Sequence, residues 1–426
     1  MGTTRREFIG LATGGVLATA GALRGQAGGK ALRLGIIGVG GYGMVDARAA
    51  LKCGGVEIAA ICDVDSAHLD AAVAEIEKLQ GRKPATHKLH EGMLAAGGLD
   101  AVVIATPPHW HALQAIAAVG KGLDVYLEKP IAYDVREGQA IVEAVKRSGR
   151  IVQVGFQRRQ AEGYRQAAEF IRSGGIGKIV QVDAQIHYKA GTLDPSPKDP
   201  PATLDWDLWC GPGPKIPYSE QVGHKNWRLE QTSGHGHLVD WGIHLIDTVR
   251  LMTGASVPRR FVASGGIEKL KGVITTPDTL TVHFEFEEFP LVWRHRLWGA
   301  TEYDPALSNG IFFYGEGGTV FATDKRWAVV RQKGKEVERE EHEAGGDAGK
   351  AHMEDFLAAV RERRAPSCPI EEGFKSTATV QLAMIAYETG APVEWDDASR
   401  QIRGNDAGAR LLKREYRKPW VHPFAA

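Results

Sequence analysis

The strongest constraint on the fold lies at Gly38-Val39-Gly40-Gly41-Tyr42-Gly43. This G-x-G-x-x-G run sits between an apolar stretch of strand length, Leu32 to Ile37, and an apparent helix, Met44 to Leu51. Each glycine has a mechanical role: Gly38 permits a sharp turn, Gly40 admits a pyrophosphate against bare backbone, and Gly43 lets the helix approach the strand. Phosphates would then face the positive end of the helix dipole. A second strand pattern, Val56 to Cys62, ends at Asp63. A carboxylate there can bind both ribose hydroxyls and repels a 2′-phosphate, so NAD is favoured over NADP. Apolar runs continue at Ala101 to Ala105, Asp124 to Leu127 and Ile151 to Val154, separated by helical patterns at His109 to Val119 and Val135 to Arg147. That rhythm predicts a doubly wound parallel sheet, with the ligand outside the carboxyl ends of the strands.

A chain of 426 residues exceeds one compact core. The expected plan is a Rossmann domain over 31–155 and a C-terminal α/β domain over 156–426, preceded by an address at 1–28. In that address Arg5-Arg6 precede an apolar run, Ile9 to Leu23, which reads as a twin-arginine export signal and an extracytoplasmic location. The run is too rich in Gly and Ala to span a membrane comfortably, and no other segment offers the roughly 20 apolar residues of a transmembrane helix. Fifty-two basic residues balance fifty-two acidic ones, which removes the electrostatic footprint of a dedicated nucleic-acid binder. The four cysteines form no CxxC pair, so no zinc ribbon or redox motif is readable.

Two segments fall where a ligand belongs: Ala105-Thr106-Pro107-Pro108-His109-Trp110-His111 and Leu127-Glu128-Lys129-Pro130-Ile131. The proline holds Lys129 out of helical geometry, and the X-Pro bond can be cis. Lys129 is thus either aimed rigidly into a cleft or a solvated surface lysine. Gly236 to Leu251 follows a helical pattern that places Asp240 and His244 on one face near its start. They form either a helix-stabilising pair or an acid/base site. Oxidising an alcohol requires a base near ambient pH at the hydroxyl; His244 suits that role, with Lys129 stabilising a developing alkoxide and Asp240 orienting His244 or gripping a sugar hydroxyl. His224, His235, His237 and His244 form a local cluster, but their spacing matches no standard zinc motif and no metal is expected. His235 and His237 read instead as polar contacts to substrate. Trp227 suits stacking on a sugar ring, although core packing explains most tryptophans equally well.

Further strand patterns run over Thr279 to Phe286, Leu291 to Leu297 and Thr319 to Thr323, with helices at Lys350 to Arg363 and Glu371 to Glu388. Gly191 to Pro201 and Gly334 to Gly349 read as surface loops, the first proline-rich and the second charged. The tail Lys418 to Ala426 is either tucked against a neighbour or frayed.

Together, the glycine run, Asp63, the Thr106-Pro107 turn with His109 and His111, Glu128-Lys129-Pro130 and Asp240-Trp241-Gly242-Ile243-His244 resemble the Gfo/Idh/MocA oxidoreductase family. The resemblance implies a Rossmann domain and a C-terminal α/β domain whose open, mainly antiparallel sheet forms a homo-oligomer interface. It gives Lys129, Asp240 and His244 the catalytic roles facing nicotinamide and sugar. The expected NAD-binding set is Gly38, Gly40, Tyr42, Gly43, Asp63, Thr106, Pro107, His109, His111, Glu128, Lys129 and Gln157. The expected substrate set is Arg158, Trp227, Arg228 and His237. Leu204-Asp205-Trp206-Asp207-Leu208-Trp209-Cys210 and Asn226-Trp227-Arg228 are similar to the exported branch, while Ser233-Gly234-His235-Gly236-His237 departs from the glycine run common there. The implied activity is NAD-dependent oxidoreduction at a secondary hydroxyl of a sugar. Because free NAD is not expected outside the cytoplasm, the cofactor should stay bound. The alternatives are NAD-dependent glycoside cleavage by transient oxidation and elimination, and a sugar-binding protein with structural NAD.

Overall fold

A computed structural model describes residues 30–299 and 302–424; the twin-arginine segment lies outside them. Six strands, β1 (Leu32–Ile37), β2 (Val56–Cys62), β3 (Ala85–His87), β4 (Ala101–Ile104), β5 (Asp124–Leu127) and β6 (Val152–Val154), form one sheet in the order β3-β2-β1-β4-β5-β6. Every pairing is parallel. Helices α1 (Tyr42–Cys53), α2 (Ser66–Gln80), α3 (His90–Ala96), α4 (His111–Gly120) and α5 (Val135–Ser148) make the crossovers. All four residues of β4 and of β5 are buried, which explains why β4, and β5 after Asp124, read as apolar runs rather than alternating ones. The order reverses between β1 and β4, opening a crevice at their carboxyl ends.

The second half begins with α6 (Glu162–Arg172), β7 (Ile179–His187), α7 (Trp206–Cys210) and α8 (Ile243–Thr253). It continues through β8 (Arg260–Gly266), β9 (Thr279–Glu285), β10 (Pro290–Arg296), β11 (Asn309–Gly315), β12 (Gly318–Ala322), β13 (Arg326–Lys333) and β14 (Glu336–Glu343). Helices α9 (Ala348–Glu362) and α10 (Ile370–Thr389) follow, then β15 (Val393–Asp396) and β16 (Gln401–Arg403). The ten strands form a sheet in the order β14-β13-β12-β11-β7-β10-β9-β8-β15-β16, antiparallel throughout except where β7 meets β10. Buried residues alternate along β9 and β10, as expected of a sheet that packs helices on one face. The α/β class and the mainly antiparallel second sheet are those implied by the sequence.

Two expectations change. The charged stretch expected as a loop over 334–349 contains β14, an edge strand paired along its length with β13. Its charges face solvent and meet the neighbouring strand in ion pairs such as Arg331–Glu340 and Lys333–Glu338; a charged edge resists pairing with other chains. The tail, as far as Phe424, is not frayed but packs on its own chain. Trp420 packs edge-on against Trp110, and His422 Nε2 donates to Asp134 Oδ2 at 3.1 Å.

The two halves are interlocked. Helix α9 contributes Met353, Phe356, Leu357 and Val360 to the same apolar cluster as Leu34, Ile36, Ala47 and Ile58, so a helix distant in sequence completes the core behind the parallel sheet.

Candidate functional site

Gly38 and Gly43 behave as their spacing requires, whereas the space beside Gly40, expected for a pyrophosphate, is filled by the His68 ring. Gly38 turns with φ +88° and donates its N–H to the Cys62 carbonyl at 2.8 Å. A Cβ on Gly43 would lie 1.9 Å from the Gly38 carbonyl oxygen, so only glycine lets α1 seat against β1. No side chain caps the start of α1 at Gly41, which leaves its first amides free to bind an anion. Asp63 Oδ2 accepts from Val39 N at 2.9 Å and Oδ1 from Asp65 N at 3.0 Å, tying the end of β2 to the phosphate-binding turn. Around them lies a cleft of about 400 Å³ bounded by Gly38, Gly40, Tyr42, Asp63, Thr106 and Pro107, with Trp209 and Trp227 contributed by the second half. Uncapped amides, a carboxylate at the end of β2 and flat aromatic walls fit the adenosine diphosphate part of a dinucleotide.

Asp65 and His68 here escaped the sequence reading, while His224, expected in a histidine cluster, stands beside them. His68 stands in α2 beside Gly40, where its ring fills the space a Cβ would take, and lies 3.8 Å from Asp63. The Asp63 carboxylate beside it raises its pKa despite burial. His224, from the second half, packs on His68 at 4.2 Å between ring centres and donates to Asp65 Oδ2 at 2.8 Å. The ligand-capable atoms of Asp65, His68 and His224 lie within 4.8 Å of one another. The available signal was Asp65, whose side chain caps α2 and so places His68 one turn along it.

His109 and His111, expected against the cofactor, do not line the cleft. Burial turns each ring to carbonyls within the protein, although His109 Nδ1 has no partner among the described residues. His109 Nε2 donates to the Trp209 carbonyl at 2.7 Å, bracing α4 against α7. His111 sits between the carbonyls of Thr106 and Pro130, at 2.7 and 2.8 Å, and holds the two ligand-facing turns together. Glu128 is likewise buried behind the cleft, accepting from Gln157 Nε2 at 2.7 Å and from Lys129 N at 3.2 Å. Burial pushes its carboxyl up to about 7, an effect that Lys129 and Gln157 only partly offset. Gln157 itself reaches the neighbouring cleft.

That second cleft, of about 660 Å³, brings together Lys129, Gln157, Arg158, Asp240, Trp241 and His244. Tyr42, Lys225 and Arg228 border both clefts, so the two meet. The Lys129–Pro130 peptide is cis, and Lys129 Nζ donates to the Asp240 carbonyl at 2.6 Å and to Oδ1 at 3.0 Å. Arg228 Nε lies 3.2 Å from Asp240 Oδ2. Burial alone would raise the Asp240 carboxyl, but Lys129 and Arg228 together hold it below the usual carboxylate range. Asp240 lies on a π-helical segment, Leu238–Gly242, that runs straight into α8 and His244; such segments frequently mark functional sites. His244 is held well below the ordinary histidine pKa by burial, then by the Lys129 and Arg158 cations. Its Nδ1 is buried without a partner among the described residues, so any contact of the ring with a ligand falls to Nε2. Of the two roles expected for Asp240, orienting His244 is not seen: its carboxylate is held by Lys129 and Arg228 instead.

The expected substrate residues divide. Arg158 and Arg228 line the second cleft. Trp227 lies on the dinucleotide side, beneath the Arg228 guanidinium at 4.3 Å from its ring centre. His237 is buried behind the cleft, its ring 5.1 Å from that of Tyr188 and 5.0 Å from that of His295. His235 points away, stacking on Tyr133 and donating to Glu388 Oε1 at 2.7 Å. The backbone explains the split: φ values of +62° at His235 and +91° at Gly236 reverse the chain between the two rings.

Residues 32–156 match the model of an oxidoreductase family with an NAD-binding Rossmann fold, and residues 202–395 match an oxidoreductase-family C-terminal α/β domain. Over 176 residues the chain is 34% identical to inositol 2-dehydrogenase of Salmonella typhimurium, covering 41% of this chain and 51% of that one. It thus spans about half the length of these curated relatives. It is 36% identical over 121 residues to a glycosyl hydrolase family 109 protein of Shewanella baltica, covering 28% of this chain and 26% of the other. In structure it is similar to myo-inositol 2-dehydrogenase from Lactobacillus plantarum, with a TM-score of 0.64 at 23% identity over 86% of this chain and 99% of that one.

Proposed function

The chain belongs to the Gfo/Idh/MocA oxidoreductase family, and from that premise we propose that it oxidises a secondary hydroxyl of a sugar or cyclic polyol, or reduces the corresponding ketone, with a tightly held NAD. One observation carries the reading: Lys129, Asp240 and His244 share a cleft that opens onto the dinucleotide cleft across Tyr42 and Arg228. NAD supplies the hydride acceptor when bound. His244 Nε2 takes the hydroxyl proton, because burial and two nearby cations keep the ring neutral and ready to accept it. The Lys129 ammonium, whose side chain is only 14% exposed, steadies the oxygen as it loses that proton. Asp240, ionised by its two cations, fixes where Nζ points.

The test is a panel of monosaccharides and cyclic polyols mixed with purified protein, read by the absorbance of reduced nicotinamide. Lys129→Met and His244→Ala should abolish the signal while the denatured protein still releases NAD. Unchanged turnover in either variant removes the assignment, and protein that carries no NAD removes the tightly held cofactor. Partial similarity to a glycosyl hydrolase family 109 protein supports a second reading, in which the same groups oxidise a glycoside transiently and release its aglycone. Release of nitrophenol from nitrophenyl glycosides without net reduced nicotinamide would select it.

A further inference from the structure

The second cleft is graded. Its reactive groups are buried, with Lys129 and Asp240 side chains 14% and 10% exposed and His244 8%. Its rim instead carries three large apolar side chains left open to solvent: Tyr188 at 37%, Trp241 at 42% and Leu193 at 47%. Large apolar groups gathered at one opening mark a binding surface, whereas scattered ones need no explanation. The segment bearing two of them is fixed. Tyr188 N donates to the Arg296 carbonyl at 3.2 Å, Ala190 N to the Leu297 carbonyl at 2.9 Å, and Leu193 N to Gln221 Oε1 at 2.7 Å. Trp241 is held from the other side, with the Arg158 guanidinium 5.7 Å from its ring centre. The wall is therefore in place before any ligand arrives, which lowers the ordering cost of binding.

We propose that Tyr188, Leu193 and Trp241 form an outer subsite for an apolar-faced group attached to the reacting ring, so that the preferred substrate is a glycoside and not a free monosaccharide. This rests on the reading that the reacting ring sits at Lys129 and His244. The attached group presents either an aromatic aglycone or the C–H face of a second pyranose; both stack on an indole and cover aliphatic carbon. Neither the net reaction nor its direction enters the argument.

Calorimetric titration of the NAD-loaded protein tests it without requiring turnover. The ligands are glucose, galactose, mannose and N-acetylglucosamine, each as free sugar, methyl glycoside, nitrophenyl glycoside and disaccharide. For the sugar that fits, the nitrophenyl glycoside or disaccharide should bind roughly tenfold more tightly than the methyl glycoside, the size expected for one well-packed apolar contact. The nitrophenyl and disaccharide arms tell an aromatic aglycone from a second ring. Leu193→Ser and Trp241→Ala should each weaken the larger ligand several-fold more than the smaller one. No ligand preferred over its methyl glycoside, or equal losses for both ligands in the variants, overturns the subsite. A retained preference in protein that turns over no saccharide overturns the redox reading and leaves the subsite standing.

Discussion

Asp240 and His244 are four residues apart yet answer to different neighbours, so the roles proposed for them are distinguishable by kinetics. The Asp240 carboxylate answers to Lys129 and Arg228, while the His244 imidazole answers to burial, Lys129 and Arg158. Asp240→Asn should therefore lower kcat about 100-fold, the scale for loosening one preorganised electrostatic group, while the acid limb of the pH profile stays where His244 sets it. A limb that moves with Asp240 would show that the two side chains are coupled after all. Arg158→Met should act the opposite way on pH. Removing a cation favours the imidazolium, so the His244 pKa rises toward the ordinary value of about 6.5, the base becomes neutral only at higher pH, and the acid limb of kcat/KM shifts upward. In the parent protein that limb should lie below the ordinary histidine value. Profiles of both proteins on one substrate decide the matter.

At the scale of elements, the parallel sheet was readable because both its faces are buried, so β1, β4 and β5 stand out as apolar runs. The glycine positions were readable because each answers a steric demand, as Gly43 does against the Gly38 carbonyl. What was hidden depends on contacts between distant segments. Strand β14 carries no apolar face and was legible only as charge. His235 and His237 looked like neighbours at one site until the left-handed turn between them was known. Nothing in the sequence of α9 announced that it backs the parallel sheet, although its own helical pattern was clear. That placement carries a consequence. Phe356 is fully buried, with its ring edge-on to Tyr126 at 5.6 Å, and it belongs to the cluster that supports α1. Phe356→Ala should cost about 3–5 kcal/mol and also speed the loss of bound NAD, whereas Phe356→Leu should cost less than about 1.5 kcal/mol. Urea unfolding and cofactor release, measured side by side, test both effects; an equally stable alanine variant would mean α9 does not support the sheet.

Across the whole molecule, histidines buried in their neutral form join parts that are distant in sequence. His109 ties the start of α4 to the Trp209 carbonyl, and His352 in α9 meets both the Tyr126 hydroxyl and Gln153 of β6. His295 lies inside the second sheet, near the Pro277 carbonyl. Burial lowers His109 and His352 to about 3 and His295 to about 4, with their hydrogen bonds and neighbouring charges giving smaller effects. In the unfolded chain each takes up a proton as pH falls through about 6.5, while in the folded protein each stays neutral well below that. Stability is therefore unaffected by these groups above pH 6.5 and declines as pH drops toward the folded values. Between about pH 6.5 and 5 each histidine removes roughly 2 kcal/mol. Three together remove about 6 kcal/mol, a large part of the 5–15 kcal/mol typical of a folded protein. These three contribute nearly three protons taken up on unfolding; His111, His237 and His244, also lowered by burial, add to the uptake, while Glu128, raised by burial, opposes it, so urea midpoints measured from pH 7 to 5 should fall. His109→Gln, whose amide can still donate to the Trp209 carbonyl, should reduce that slope by about one proton. A flat profile over this range would mean that the native state protonates these rings in place, and the seam between the two halves would then have to accommodate charge that its burial argues against.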